Sequence, residues 1–212
     1  MNPGISVLLV DDHAIVREGY RRLLQGESAF HIVGEAGDGI EACERALALA
    51  PDVVVMDIAL PGISGIEATR RMLRQRATLR VVMFSMYDDA IYATRALEAG
   101  ALGYLSKASA PEVLMQAIYA VSRGERYVSP DVATNIARAT EQPGRSELGA
   151  LTPREFEVLR LLVQGETVRS IGEKLGVSEK TIANHQSAIR EKLGARNSLQ
   201  LSRLAEYHGL RP

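Results

Sequence analysis

Four short apolar runs, "ISVLLV", "PDVVVMD", "RVVMFS" and "GYLSK", each stop abruptly at a polar residue. A strand covered on one face alternates apolar and polar residues, whereas a parallel strand covered on both faces reads as an unbroken run of Val, Ile and Leu. These runs are of the second kind, so their polar ends mark where strands leave a sheet. With a weaker run, "FHIVGEA", they alternate with helically spaced segments over the first ~120 residues, which predicts a parallel sheet with helices on both faces.

The intervening segments carry helix signals. Val16, Tyr20, Leu23 and Leu24 recur at helical intervals, Gly100 ends the run "DDAIYATRALEAG" in the manner of a C′ glycine, and Ser109 with Glu112 forms an expected capping box. Five strands in this order fit the flavodoxin-like doubly wound sheet, order 2-1-3-4-5, which sets the carboxyl ends of strands one and three side by side at a crevice. Asp11 and Asp12 then follow strand one, Asp57 ends strand three, Ser85 strand four and Lys107 strand five.

Carboxylates converging in a dry crevice repel one another unless a cation neutralises them. Oxygen ligands select a hard ion, and Mg²⁺ suits few protein ligands because it keeps waters and binds phosphate. Asp11, Asp12 and Asp57 are the expected metal ligands. Asp57 can then attack a phosphoryl group, with Lys107 spreading the charge of the transferring oxygens and Ser85 donating a hydroxyl to the product. Aspartyl-phosphate enzymes place a second acid two residues after the nucleophile; here that residue is Ala59, so the phosphoaspartate is expected to persist and to signal rather than turn over. The stretch Gly34–Gly39, "GEAGDG", lacks G-x-G-x-x-G spacing, and no Walker A lysine motif is present, so no nucleotide site is expected.

The motifs "LLVDDH", "VVVMDIALPGISG", "VVMFS" and "GYLSK" resemble those of two-component receiver domains over residues 5–124. The resemblance implies that Asp57 is phosphorylated by a histidine kinase or a small donor such as acetyl phosphate. It also implies that Asp11 and Asp12 hold Mg²⁺, and that Ser85, Tyr104 and Lys107 are switch positions.

Charge divides the chain. Lys and Arg against Asp and Glu count 13 to 16 over residues 1–130 and 10 to 7 over residues 148–212, so the two parts suit different partners. The lone Cys43 excludes a disulfide framework and lies among apolar helical residues as a structural thiol. No apolar run approaches about 18 residues and the N-terminus lacks a secretory leader's pattern, so a soluble, cytoplasmic protein without membrane contact is expected.

Domain boundaries are expected at 1–124 for the sheet domain, 125–147 for a linker with a short helix near Asp131–Ala139, and 148–212 for a second domain; Pro143, Gly144 and Gly149 mark the flexible part. The second domain opens on Thr152 as N-cap, Pro153 at the first helical position and Glu155 as its capping-box partner, with Phe156, Leu159 and Leu162 inward. A short helix, a turn at Gly176, an N-cap at Ser178 and a longer helix then make a helix-turn-helix pattern. On the longer helix Ile182, Gln186, Ile189 and Leu193 face the core, while Lys180, Ala183, Asn184, Ser187 and Glu191 face outward and Arg190 and Lys192 flank that face. Asn184 suits adenine, Ser187 suits either base type, and the two cations suit phosphates. On the residues alone, the domain's partner is either duplex DNA or a protein; salt-dependent, sequence-selective DNA binding would separate the two.

"LTPRE", "IGEKLGVSEKTIANH" and "REKLGARN" resemble the LuxR-type DNA-binding domain, making the whole chain similar to the NarL/FixJ class of response regulators. The resemblance implies a transcription regulator that binds DNA as a homodimer when phosphorylated, with Lys180, Thr181, Asn184, Ser187, Arg190 and Lys192 as contacts. Ala183 departs from the family, which often has lysine there, and His185 lies at the core edge. The last helix, with Leu199, Leu201, Leu204 and Tyr207, resembles the segment that pairs two such domains.

Overall fold

The computed structural model describes residues 4–86, 90–140, 148 and 150–207, so Tyr87 and the linker residues 141–147 and 149 lie outside the described residues. The chain divides into two compact units, Met1–Arg138 and Ala139–Pro212. Among the described residues no helix is long and apolar enough to cross a membrane.

In the first unit the strands are β1 (Ile5–Val10), β2 (Phe30–Ala36), β3 (Val53–Met56), β4 (Val81–Ser85), β5 (Gly103–Ser106) and β6 (Tyr127–Val128). The helices are α1 (Ala14–Gln25), α2 (Gly39–Leu49), α3 (Gly65–Gln75), α4 (Ala90–Glu98), α5 (Pro111–Ser122) and α6 (Pro130–Thr140), the last running across the boundary at Arg138. Every strand pairing is parallel, in the order β2-β1-β3-β4-β5-β6. The order expected for five strands is found, with a sixth strand added at the edge.

Residues 125–147, read as a linker with a short helix near Asp131–Ala139, contain that helix as α6 and, before it, the sixth strand, which was not expected. Gly124, at φ +81°, ends α5 and turns the chain back, so that the Tyr127 amide donates to the Leu102 carbonyl at 3.0 Å and the Ser129 amide to that of Tyr104 at 3.1 Å. Two residues are too few to show a period of two in sequence. The start of α5 is also corrected. Ala110, not Ser109, is the N-cap, and it makes no side-chain cap bond. Proline's fixed φ favours the first helical position, which places the boundary just before Pro111. Gly100 ends α4 as expected: it sits at φ +103° and the Ala101 amide reaches back to the Ala96 carbonyl at 3.0 Å.

One face of the sheet buries Val7, Leu9, Val55, Val82, Phe84 and Leu105 against Leu24 of α1 and Leu114, Ile118 and Val121 of α5. With both faces covered, polar side chains are left to the strand ends.

The second unit comprises α7 (Pro153–Val163), α8 (Val168–Leu175), α9 (Glu179–Lys192) and α10 (Ser198–Tyr207). Thr152 and Glu155 complete the expected capping box. Ser178 caps α9, and Gly176, at φ +63°, makes the turn between α8 and α9. α7 and α8 both pack on α9. Phe156, Val158, Leu159, Ile171, Ile182, Ile189 and Leu193 are buried, whereas Leu162, expected to be fully inward, is only half-buried.

Candidate functional site

Asp11 and Asp57 are brought together by the register of adjacent strands. Val10 of β1 lies opposite Met56 of β3, and the next residue of each strand is an aspartate. The Asp57 amide still donates to the Val10 carbonyl at 2.9 Å, so both carboxylates emerge at the same level of the sheet. Behind them stands Gly65, where a β-carbon would lie 1.8 Å from the Asp57 carbonyl oxygen. Only glycine permits this approach of α3 to the strand end.

Lys107 enters from β5, its amide bonded to the Ser85 carbonyl at 2.7 Å. The Lys107 ammonium is 2.7 Å from Asp57 Oδ2 and is bonded to Asp11 Oδ2 as well. Asp57 Oδ1 accepts from the Ile58 amide at 2.6 Å and from the Ala59 amide at 3.4 Å. The side chains of Asp11, Asp57 and Lys107 are 5–7% exposed, so these charges meet almost without solvent. Burial pushes the Asp57 carboxyl above its ordinary range, more than the Lys107 ammonium pulls it down. Lys107 itself loses by burial but is held above its ordinary value by its two carboxylates, Asp57 foremost. One ammonium thus serves two buried acids, and Asp57 is left short of positive charge.

Asp12 is more open. The His13 Nδ1 lies 2.6 Å from Asp12 Oδ1 and 3.4 Å from Asp11 Oδ1. Asp11, Asp12 and His13 offer one ligand atom each within 4.8 Å of one another, a cluster compatible with a divalent metal ion. Asp57 is not part of this cluster; the Lys107 ammonium pairs with both it and Asp11. Ser85 is fully buried at the end of β4, Met86 after it is 70% exposed, and Tyr104 of β5 is fully buried.

In the second unit Lys180, Ala183, Asn184, Ser187 and Glu191 are exposed along α9, as expected from the helical wheel. Thr181 is half-buried, its hydroxyl 2.8 Å from that of Ser178. Of the two flanking cations, Arg190 is half-buried and lines a small cavity with Leu159, Leu162, Gln186 and Leu201. Lys192 is exposed, and its ammonium is held by Glu155 at 2.7 and 2.9 Å. His185 is half-buried, and burial with the neighbouring Arg154 charge lowers its pKa. α10 follows as an amphipathic helix with Leu201 buried and Leu199 62% exposed; the Tyr207 side chain lies outside the described residues.

The response regulator receiver domain model matches residues 7–119, and the model for bacterial regulatory proteins of the luxR family matches residues 149–205. The chain is a response regulator. It is 38% identical over 208 residues to the response regulator UvrY of Escherichia coli O157:H7, covering 97% of this chain and 95% of that protein. A LuxR-family two-component response regulator from Aurantimonas sp. SI85-9A1 superposes with TM-score 0.64 at 45% identity, over 66% of this chain and 99% of that one. RcsB from Salmonella enterica serovar Typhimurium, solved bound to promoter rprA in the presence of the phosphomimetic BeF3−, matches with TM-score 0.67 at 27% identity, over 96% of this chain and 98% of that one. This response regulator is therefore a receiver domain followed by a LuxR-type DNA-binding domain.

Three residues at the receiver site of this regulator escaped the sequence reading. Gly65 was visible as a glycine but its approach to Asp57 was not. His13 was an adjacent donor in plain view. Arg17, whose guanidinium donates to the Asp11 carbonyl, carried no signal beyond being a basic residue on an amphipathic helix.

Proposed function

We propose that this response regulator accepts a phosphoryl group on Asp57 from a histidine kinase or acetyl phosphate, and that phosphorylation controls a DNA-binding, dimeric transcription regulator. The observation that carries this reading is the buried Asp57, facing Lys107 and Asp11 and short of positive charge. Asp11, Asp12 and Asp57 would hold Mg²⁺, which would supply a divalent charge against the phosphoryl oxygens. The Asp57 carboxylate forms the new bond to phosphorus as the donor's leaving group departs. Lys107 turns its ammonium to the phosphoryl oxygens, and Ser85 donates its hydroxyl to the product.

The exposed row of Lys180, Asn184 and Ser187 on α9 supports a helix that enters the major groove, with Asn184 reading adenine through paired hydrogen bonds. The solved RcsB complex with promoter DNA is a precedent in kind. The test is incubation with acetyl phosphate and Mg²⁺ followed by intact-mass measurement and binding to duplex DNA. One added phosphoryl group, lost in Asp57→Ala, and tighter sequence-selective binding are expected. Phosphorylation surviving in Asp57→Ala would overturn the assignment.

A further inference from the structure

The Asp11 carbonyl lies just beyond the end of β1, where the chain turns into α1, and its oxygen receives a hydrogen bond from Arg17 Nη1. Arg17 is itself held from the far side. Its Nε donates to Glu35 Oε2 of β2 at 3.3 Å, and Glu35 Oε1 lies 3.4 Å from Arg21 Nε. Arg17 is 19% exposed and Glu35 34% exposed, so the contact is partly shielded from water. The Asp11 carboxylate has its own fixtures, Lys107 and the His13 amide at 2.8 Å. The Asp12 carboxylate meets His13, and its direction depends on how the peptide between Asp11 and Asp12 is set.

We propose that Arg17, anchored by Glu35, is a positioning residue for the divalent cation: it clamps the Asp11–Asp12 peptide so that both carboxylates aim at one ion. This rests on the reading of Asp11, Asp12 and Asp57 as metal ligands. A guanidinium beside a cation site is unfavourable on charge alone, so its anchoring acid has a second role. Glu35 neutralises Arg17 and leaves its geometric effect. Outer-shell partners of metal ligands act in this way, and removing one typically costs roughly 10–100-fold in metal affinity.

The test uses the full chain and Mn²⁺ as the probe ion, with unbound Mn²⁺ counted by its electron paramagnetic resonance signal. Arg17→Met and, more mildly, Glu35→Gln are expected to weaken Mn²⁺ binding, the first by roughly tenfold or more. The double variant is expected to be no worse than Arg17→Met, since Glu35 acts through Arg17. Glu18→Gln, which breaks ion pairs to Arg21 and Arg22 without touching Asp11, is expected to bind as the parent does. Denaturation in chelator separates positioning from stability: if Arg17 only ties α1 to β2, its variants lose stability without losing affinity.

Arg17→Lys, which keeps the charge but cannot span both the carbonyl and Glu35, serves if Arg17→Met does not fold; it too must bind Mn²⁺ more weakly. Parent-like affinity in the folded Arg17 variants, while Asp12→Asn loses the ion, overturns the positioning role and leaves the metal reading standing. A parent and an Asp12→Asn variant that both ignore Mn²⁺ overturn the two together.

Discussion

Both carboxylate oxygens of Glu155 are bound to the ammonium of Lys192, at 2.7 and 2.9 Å, across 37 positions of sequence. Glu155 is also the capping-box acid of α7, accepting from the Thr152 amide at 2.7 Å. The start of α7 and the end of α9 are therefore fixed by one carboxylate. This sets the pitch of the exposed α9 face against the rest of its domain.

Glu155→Gln, which can keep the capping bond from the Thr152 amide but loses the charge pairing with Lys192, is expected to destabilise the chain by about 1 kcal/mol at neutral pH. Burial alone would raise the Glu155 carboxyl, but Lys192 and Thr152 more than offset it and hold the group below its ordinary value of 4.5. A depressed carboxylate stabilises the fold above its unfolded pKa, and this stability is lost as pH falls through the folded value. The difference between parent and variant in urea denaturation should accordingly shrink in acid. A gap independent of pH would contradict the pairing. Lys192→Met should share the stability loss.

Asp57 has the opposite sign. Its carboxyl is pushed up, chiefly by burial, so ionisation costs the folded state stability once pH rises above the ordinary carboxylate value. Asp57→Asn is expected to melt higher than the parent at neutral pH in chelator, with the advantage disappearing in acid. Mg²⁺ should stabilise the parent and narrow the gap. Thermal unfolding at several pH values decides this, and a lower melting temperature for Asp57→Asn in chelator would count against the charge shortage at the site.

The strand ends were legible because a sheet covered on both faces tolerates a charge only where a strand leaves it, and Asp11, Asp57, Ser85 and Lys107 all stand at such points. The helix-turn-helix was legible from its caps, since Thr152, Ser178 and Gly176 act within a few residues of themselves. What stayed hidden depends on distance. A helical wheel for α9 places Lys192 beside the outer face but cannot see Glu155 on another helix. Likewise β6 exists because β5 offers it a free edge, not because "YV" has a pattern of its own. At α5 two local signals competed, and the constraint of Pro111 outweighed the hydroxyl of Ser109.

On DNA, Asn184→Ala is expected to lose about 1–3 kcal/mol of preference for the specific site, as a bidentate base contact would. Lys180→Ala, exposed at the start of α9, should instead weaken specific and random duplexes alike and reduce the salt slope. Titrations of both sequences at several salt concentrations distinguish the two effects. If both variants lose equally on specific and random DNA, the division of the face is wrong.

Hydrolysis of a phosphoaspartate needs a water held in line with the bond from Asp57 to phosphorus, and the residue two positions after Asp57 is well placed to hold one. That residue is Ala59, half-buried, its amide 3.4 Å from Asp57 Oδ1; its methyl group neither orients nor activates water. Tyr87, two positions after Ser85, lies outside the described residues, but a phenol likewise lacks the carboxylate or amide that would place a water. Met86 is 70% exposed beside the buried Ser85, and its bulk should hinder both the arriving donor and the attacking water without stabilising the phosphorylated state. The phosphorylated parent is therefore expected to decay slowly in Mg²⁺. Ala59→Asn should hasten decay severalfold, and Met86→Ala should hasten both phosphorylation and decay. Following the phosphorylated fraction over time tests this: parent decay within seconds, or no acceleration in either variant, would show that water is placed by other groups.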